Sequence, residues 1–354
     1  MKTNVFLLAL LMAGAGCHKD YNTTAAPLIP GTYQETDLVT DVAIGYGAAR
    51  IDPPLLNAWG IAVNPAGIVW ISANHAGATT VYDSTGKTVL GPVAIPSQGT
   101  HFGGSPTGVV FNGTTDFVIP SNQKIAKFIF VNEDGTVSAW GAGDSTITVA
   151  DRSSSDAVYK GVALANDGSG NFLYAANFKG GKIDVFDKNF VYISTRPFAD
   201  PGIPAGFGPF NIQNIGGKLY VTYAKLKGPD NTDDQAGAGN GYVDVFNPDG
   251  TLVKRFASQG LLNSPWGLAQ VPAGFGLPRH SILIGNFGDG RINVYDSTGV
   301  FNGQLQNNGY PITIAGLWAL DFPNNEATLA DPNKLYFTAG PMDESHGLFG
   351  FLKM

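Results

Sequence analysis

Short apolar runs closed by Gly, Asn, Asp or Pro recur along the chain, and Ser264–Gly299 shows their arrangement most clearly. There the pattern gives a strand starting at Trp266-Gly267, a second at Ser281–Gly285 and a third at Ile292–Tyr295, with turns at Asn286–Gly290 and Asp296–Gly299. Runs this short, bounded by turn formers, read as β-strands rather than helices. Six segments align on this unit, with first strands starting at Trp59-Gly60, Thr107-Gly108, Lys160-Gly161, Phe210-Asn211, Trp266-Gly267 and Trp318-Ala319. Successive starts are 48, 53, 50, 56 and 52 residues apart, and each is followed by Ile, Val or Leu. Gly recurs in these strands, which signals close backbone approach.

Second strands are expected at Val69–Ser72, Phe117–Pro120, Leu173–Ala176, Leu219–Thr222, Ile282–Gly285 and Leu335–Ala339. Asn follows the strand in four of them (Asn74, Asn122, Asn177, Asn286), as expected of a residue that bonds its own turn. Third strands end at Tyr82-Asp83, Val131-Asn132, Phe186-Asp187, Phe246-Asn247 and Tyr295-Asp296. The turns DSTG (83–86), NEDG (132–135), NPDG (247–250) and DSTG (296–299) then lead into fourth strands. Six four-stranded units of this length predict an all-β, six-bladed β-propeller spanning 33–354 as one domain. The sixth unit ends one strand short. Tyr33–Ala43 supplies the missing strand, closing the ring and removing an open sheet edge.

Composition agrees: Gly 47, Pro 22 and only 14 % charged residues suit many short strands joined by tight turns. A formal net charge of −7 without a basic cluster argues against a nucleic-acid partner. The single cysteine, Cys17, excludes internal disulfides. Residues 1–16 combine Lys2, an apolar run from Val5 to Leu11 and small residues up to Gly16, the layout of a secretory signal too short to span a bilayer. Small residues directly before a lone cysteine resemble a bacterial lipoprotein signal, although Gly14 stands where that pattern has Leu. The resemblance implies lipidation at Cys17, a polar tether over 17–32, and an extracytoplasmic protein of a bacterial envelope that meets the membrane through its lipid anchor only.

The repeats look like those of NHL-type and SMP-30-type six-bladed propellers, with LYAANFKGGKIDVFD (173–187) resembling an NHL repeat. From about Gln34 onward the chain is similar to a family of uncharacterised, secreted bacterial six-bladed propellers. The motifs that carry this are DDQAGAGNGYVDVF (233–246), LNSPWGLA (262–269), GNFGDGRINVYD (285–296), GLWAL (316–320) and AGPMDESHGLFG (339–350). The family brings a fold and a location, not an activity.

In a propeller, the loops joining second to third strands, and fourth to the next first strand, share one face, here the top. His75 lies there in blade one, and Asp343, Glu344 and His346 lie in the equivalent blade-six loop, so two imidazoles and two carboxylates are expected to meet at the tunnel mouth. They are equally compatible with solvated turns. Trp59, Trp266 and Trp318 occupy equivalent strand starts and, with Phe287, could stack on a ligand; as packing between blades they need none. The acidic blade-four loop 225–241 lies on the same face and reads as a solvated lid, with calcium as the other reading. Asn211, Gln213 and Asp321 are the polar exceptions in the first strands, which makes Asn211 and Asp321 weak candidates for a divalent metal ion near the axis. They do not reproduce the SMP-30 ligand cluster. These features favour a monomeric propeller binding a protein or glycan, with a metal-dependent hydrolase or lactonase as the alternative.

Overall fold

The computed structural model describes residues 29, 31–43, 45–323 and 329–354; the signal and tether expected over 1–28, with Cys17, lie outside the described residues. Six antiparallel sheets follow one another around a central axis. Their inner strands are Ala58–Val63, Pro106–Phe111, Tyr159–Asn166, Phe207–Ile215, Pro265–Gln270 and Leu317–Asp321. Blade six contains Leu317–Asp321, Leu335–Ala339 and Leu348–Lys353 and is completed by Gln34–Thr40, which pairs antiparallel with Leu348–Lys353. The ring is therefore closed by the N-terminal strand. Arg50–Ile51 adds a short parallel outer pair to it.

The core is divided as the alternation of strand residues requires. Each pair of neighbouring blades encloses its own apolar cluster, such as Ile129, Val131 and Val137 of blade two with Val162, Leu173 and Ala175 of blade three. A further cluster fills the top of the axis: Trp59, Phe178, Phe210, Trp266 and Trp318. The inner-strand glycines fit their expected use. A Cβ on Gly108 would stand 2.7 Å from the Val162 nitrogen, and one on Gly267 2.8 Å from the Trp318 carbonyl oxygen. Neighbouring inner strands converge too closely there for any side chain.

Blade two departs from the sequence pattern. Its second strand is Phe128–Asn132, its third Thr136–Trp140 and its fourth Ile147–Asp151. Phe117–Pro120 is not a strand of the sheet. It belongs to an insertion tied off by Asn112, whose amide donates to the Asp116 and Ala126 carbonyls at 3.0 and 2.8 Å. Phe117 and Ile119 are buried between blades two and three, so the apolar run is real but caps an interblade cluster. The NEDG turn consequently joins the second and third strands. The corrected register leaves Asn at the end of four second strands: Asn74, Asn132, Asn177 and Asn286. The turns at Asp83, Asn247 and Asp296 do join third to fourth strands, with Gly86, Gly250 and Gly299 in the left-handed region.

Candidate functional site

Two sets of side chains point to the top of the axis: those at the inner-strand starts, and those just after the second strands. The second set includes His75, Glu133, Phe178 and Phe287, each following one of the four asparagines. The apolar members pack on one another. Trp59 stacks on Trp318 with ring centroids 3.6 Å apart, and Phe287 stacks on Trp318 at 3.9 Å. Trp59, Trp266 and Trp318 are 2, 4 and 0 % exposed. The tryptophans therefore plug the axis, because rings at the point of closest strand approach fill the space that six converging strands leave. Among them only Trp59 borders a top-face cavity; Trp266 borders the axial channel below.

The polar members enclose a cleft of about 280 Å³, lined by Trp59, Asn74, His75, Glu133, Lys160, Thr232, Asp233, Asp343 and Glu344. Five of the six blades contribute. Lys160 stands where four of the other five inner-strand starts carry an aromatic ring, and it is 2 % exposed. Its Nζ lies 2.6 Å from Glu133 Oε1 and 4.9 Å from the centre of the Trp59 ring. Asn74 Nδ2 donates to Glu133 Oε2 at 3.1 Å, so both Glu133 oxygens are occupied. Burial works to raise the Glu133 carboxyl, but the Lys160 ammonium and the Asn74 amide outweigh it and hold the group below the ordinary carboxylate range. Burial likewise works to lower Lys160, and Glu133 outweighs it, so the ammonium stays above its usual range.

Glu344 is placed differently. Met342, Asp343 and Glu344 have φ of +54, +53 and +63°, three consecutive non-glycine residues in the left-handed region. Such backbone costs roughly 1–2 kcal/mol per residue and clusters where function over-determines it. Glu344 N donates to the Gly340 carbonyl at 3.1 Å, closing the turn. The side chain is held by a relay. The Trp318 indole, a donor only, gives its proton to Asn57 Oδ1 at 3.0 Å. That fixes the amide, so Asn57 Nδ2 donates to Glu344 Oε2 at 2.6 Å. Burial, assisted by Asp233, pushes the Glu344 carboxyl up to about 7, with Asn57 and Lys160 opposing.

This shift has a stability consequence. The folded carboxyl titrates above its unfolded value of about 4.3, so its contribution is fully present below that value and is lost as pH rises through about 7. Glu344→Gln removes the titration. The stability of the variant relative to the parent should therefore rise between pH 5 and pH 8, by on the order of 1–3 kcal/mol after allowance for partial solvent access. Urea denaturation at both pH values measures it, and a pH-independent difference would mean that the carboxyl is not desolvated.

His75, Asp343 and Glu344 thus share one cleft, as expected from ring closure. His346 does not line it. Its Nδ1 lies 2.8 Å from Asp41 Oδ2, just after the closing strand, and Asp41 Oδ1 accepts from Gly347 N at 2.9 Å. The acidic blade-four loop contributes Asp233, held by pairing of Asp233–Asp234 with Leu226–Lys227. A second groove of about 690 Å³ adjoins the cleft. It shares Asp233, Asp343 and Glu344 and adds Asp234, Phe287 and Met342. Asn57, Asn74, Glu133 and Lys160 are the site residues that sequence reasoning missed. Lys160 had a signal, being the one charged residue among the strand starts.

Asn211 and Asp321 line an axial channel of about 330 Å³ below the aromatic plug, together with Gln213. Asn211 Nδ2 donates to the Trp266 carbonyl at 2.7 Å and its Oδ1 accepts from Ile212 N at 2.8 Å, so its side chain bridges strands and one lone pair of Oδ1 is engaged. Burial raises the Asp321 carboxyl to about 7. Among the described residues no group of three or more His, Cys, Asp or Glu side chains is arranged to hold a metal ion.

No family model matches the chain. Solved structures share the fold: a Bacteroides thetaiotaomicron protein of unknown function (TM-score 0.57, 11 % identity, covering 91 % of this chain and 76 % of that one), the soluble aldose sugar dehydrogenase of Escherichia coli (0.53, 14 %, 91 % and 99 %), and a streptogramin B lyase (0.52, 12 %, 91 % and 97 %). At these identities the likeness is one of fold alone. Sequence relatives are nearer. The uncharacterized proteins R648 and L690 of Acanthamoeba polyphaga mimivirus are each 37 % identical to this chain, over 319 and 321 residues. The alignments cover 86 % of this chain and 76 and 82 % of theirs, so the chain belongs to one family with these two mimivirus proteins.

Proposed function

We propose that this propeller is a lipid-anchored, extracytoplasmic protein of a bacterial envelope that binds a protein or glycan ligand on its top face. The observation that carries the binding reading is the cleft itself. Polar side chains from five blades converge on one concave site, and the turn that delivers Asp343 and Glu344 is held in an unfavourable backbone conformation. The anchor and location rest on the signal-like residues 1–16 and on Cys17. The test of the binding reading is a panel of immobilised glycans and peptides probed with the purified protein and with an Asp233→Asn/Asp343→Asn variant. Ligands should be retained by the parent and lost in the variant. A panel without ligands, or ligands indifferent to the substitutions, would overturn the reading. For the anchor, Cys17→Ser should shift the protein from the membrane to the soluble extracytoplasmic fraction.

One observation favours the alternative of a hydrolase. Glu344 and Glu133 line the same cleft with their carboxyl groups pushed in opposite directions, the arrangement that separates an acid from a base. The metal-dependent form of that alternative would use Asn211 and Asp321, which line the axial channel and not the cleft that holds Glu344 and Glu133.

A further inference from the structure

We propose that the top-face cleft seats the ammonium or guanidinium group of a basic side chain presented by a protein ligand. This rests on the reading of the top face as a binding site and names the chemistry that the site selects. Four carboxyl groups, Glu133, Asp233, Asp343 and Glu344, line the cleft against one ammonium, Lys160. That ammonium is already committed, at 2.6 Å to Glu133 and over the Trp59 ring. Negative charge delivered by the blade-four and blade-six loops forms no ion pair among the described residues, although Lys227 lines the adjoining groove beside it.

Two further observations point the same way. Asp234, in the adjoining groove, is 7 % exposed and its Oδ2 makes no well-aligned hydrogen bond among the described residues; burial raises its carboxyl to about 6, with the neighbouring Ser264 hydroxyl opposing. A buried carboxylate oxygen without a donor is costly, and a cationic donor removes that cost. At Glu344, Asn57 engages Oε2, and no donor among the described residues engages Oε1. The surroundings favour a protein over a sugar. The tryptophan faces that could stack on a sugar ring are sealed in the axial plug, whereas Met342 on the groove is 67 % exposed and offers an apolar contact.

Cation binding and proton release are coupled here. Glu344 faces Asp233, and across the adjoining groove Asp234 and Lys227, from blade four, Glu133 and Lys160 from blades two and three, His75 from blade one, and Asp343 on its own turn. Burial holds its carboxyl near 7, so an incoming cation draws off the proton. Affinity for a lysine side chain, itself charged throughout, therefore rises about tenfold between pH 6 and pH 8. His75 lines the same cleft, so its contribution and that of Glu344 are separated by variants.

The experiment is calorimetric titration of the purified protein with N-acetylated pentapeptides carrying a central lysine, arginine or norleucine, at pH 6 and pH 8 in two buffers of different ionisation heat. The lysine and arginine peptides should bind at least about tenfold more tightly than the norleucine peptide, an effect of order 1.4 kcal/mol, and release protons near pH 7. Glu344→Gln should weaken binding at pH 8 and flatten the pH dependence, whereas His75→Gln should retain most of it. Asp233→Asn gives a second route to weaker binding should Glu344→Gln fold poorly. Equal binding of lysine and norleucine peptides overturns the cation assignment while leaving top-face recognition standing. Failure of every peptide overturns it too, and tighter binding of glucosamine than of the lysine peptide transfers the site to an amino sugar and overturns the protein assignment.

Discussion

A chain beginning at Tyr46 should show no cooperative thermal transition, whereas one beginning at Ile29 should melt as a single unit. The difference is the closing strand Gln34–Thr40 and the residues just before it. Tyr33 is fully buried, packs its ring tilted against Phe275 at 4.9 Å between centroids and donates a hydrogen bond from its hydroxyl to the Phe275 carbonyl at 3.1 Å. Leu38 and Val39 sit in the cluster that joins blade six to blade one, with Tyr82, Ile71 and Phe349. Burial of these three side chains is worth about 1.5–3 kcal/mol each. Together that approaches the whole stability of a typical domain, about 5–15 kcal/mol. Their loss also bares the edge of Leu348–Lys353, an unpaired strand ready to aggregate. Circular dichroism melts of the two chains decide it, with Val39→Ala as a milder version if the shorter chain precipitates. A shorter chain melting within a few degrees of the longer one would mean that the ring is held shut by other contacts.

Glu133→Gln should destabilise the protein by about 3–5 kcal/mol, and Lys160→Met by distinctly less. The asymmetry follows from access to water. The Lys160 side chain is 2 % exposed and cannot recover solvation when its partner is removed, whereas Glu133 is 32 % exposed and keeps the Asn74 amide. Residual attraction of Lys160 to Asp233 and Glu344 trims the cost without removing it. A Glu133→Leu/Lys160→Met chain removes both charges and should recover most of the loss. The pH dependence has a definite sign. The Glu133 carboxyl is held below its ordinary value in the folded state, so the stability it contributes is present above about pH 4.3 and drains away as pH falls through the folded value. Urea titrations of the four chains at neutral pH measure the effect. Equal losses in the two single variants would show that Lys160 reaches water and that the pair is not the buried element described here.

The same pair shows where reading the sequence stopped. Lys160 is the one charged residue among the six strand starts, but a lysine carries its meaning only with its partner, and Glu133 was hidden by register. The run Phe117–Pro120 has the composition of a second strand, and placing it there moved the NEDG turn to the bottom face. Local pattern could not decide between two apolar segments that were both destined for burial. The choice was made by Asn112, which ties the insertion off, and by the space between blades two and three that Phe117 fills.

The sequence by itself determined the architecture: six repeats, their inner strands, the glycine positions where strands converge, and the N-terminal strand that closes the ring. These follow from periodicity and turn chemistry, which are local properties repeated six times, and any one blade misread leaves the other five to set the fold. It also brought His75, Asp343 and Glu344 to one mouth, because ring closure makes the first and last blades neighbours. Only the tertiary structure decided which side of the axis is sealed and which is open. Trp59, Trp266 and Trp318 face one another and exclude water, with Phe287 covering Trp318 from the groove side, while His346 turns to Asp41. The contacts that set Glu344 apart from Glu133, an Asn57 amide oriented by Trp318 on one side and a buried Lys160 on the other, join residues up to 287 positions apart. Burial and charge at a given carboxyl are sums over such distant neighbours, and no window of sequence contains them.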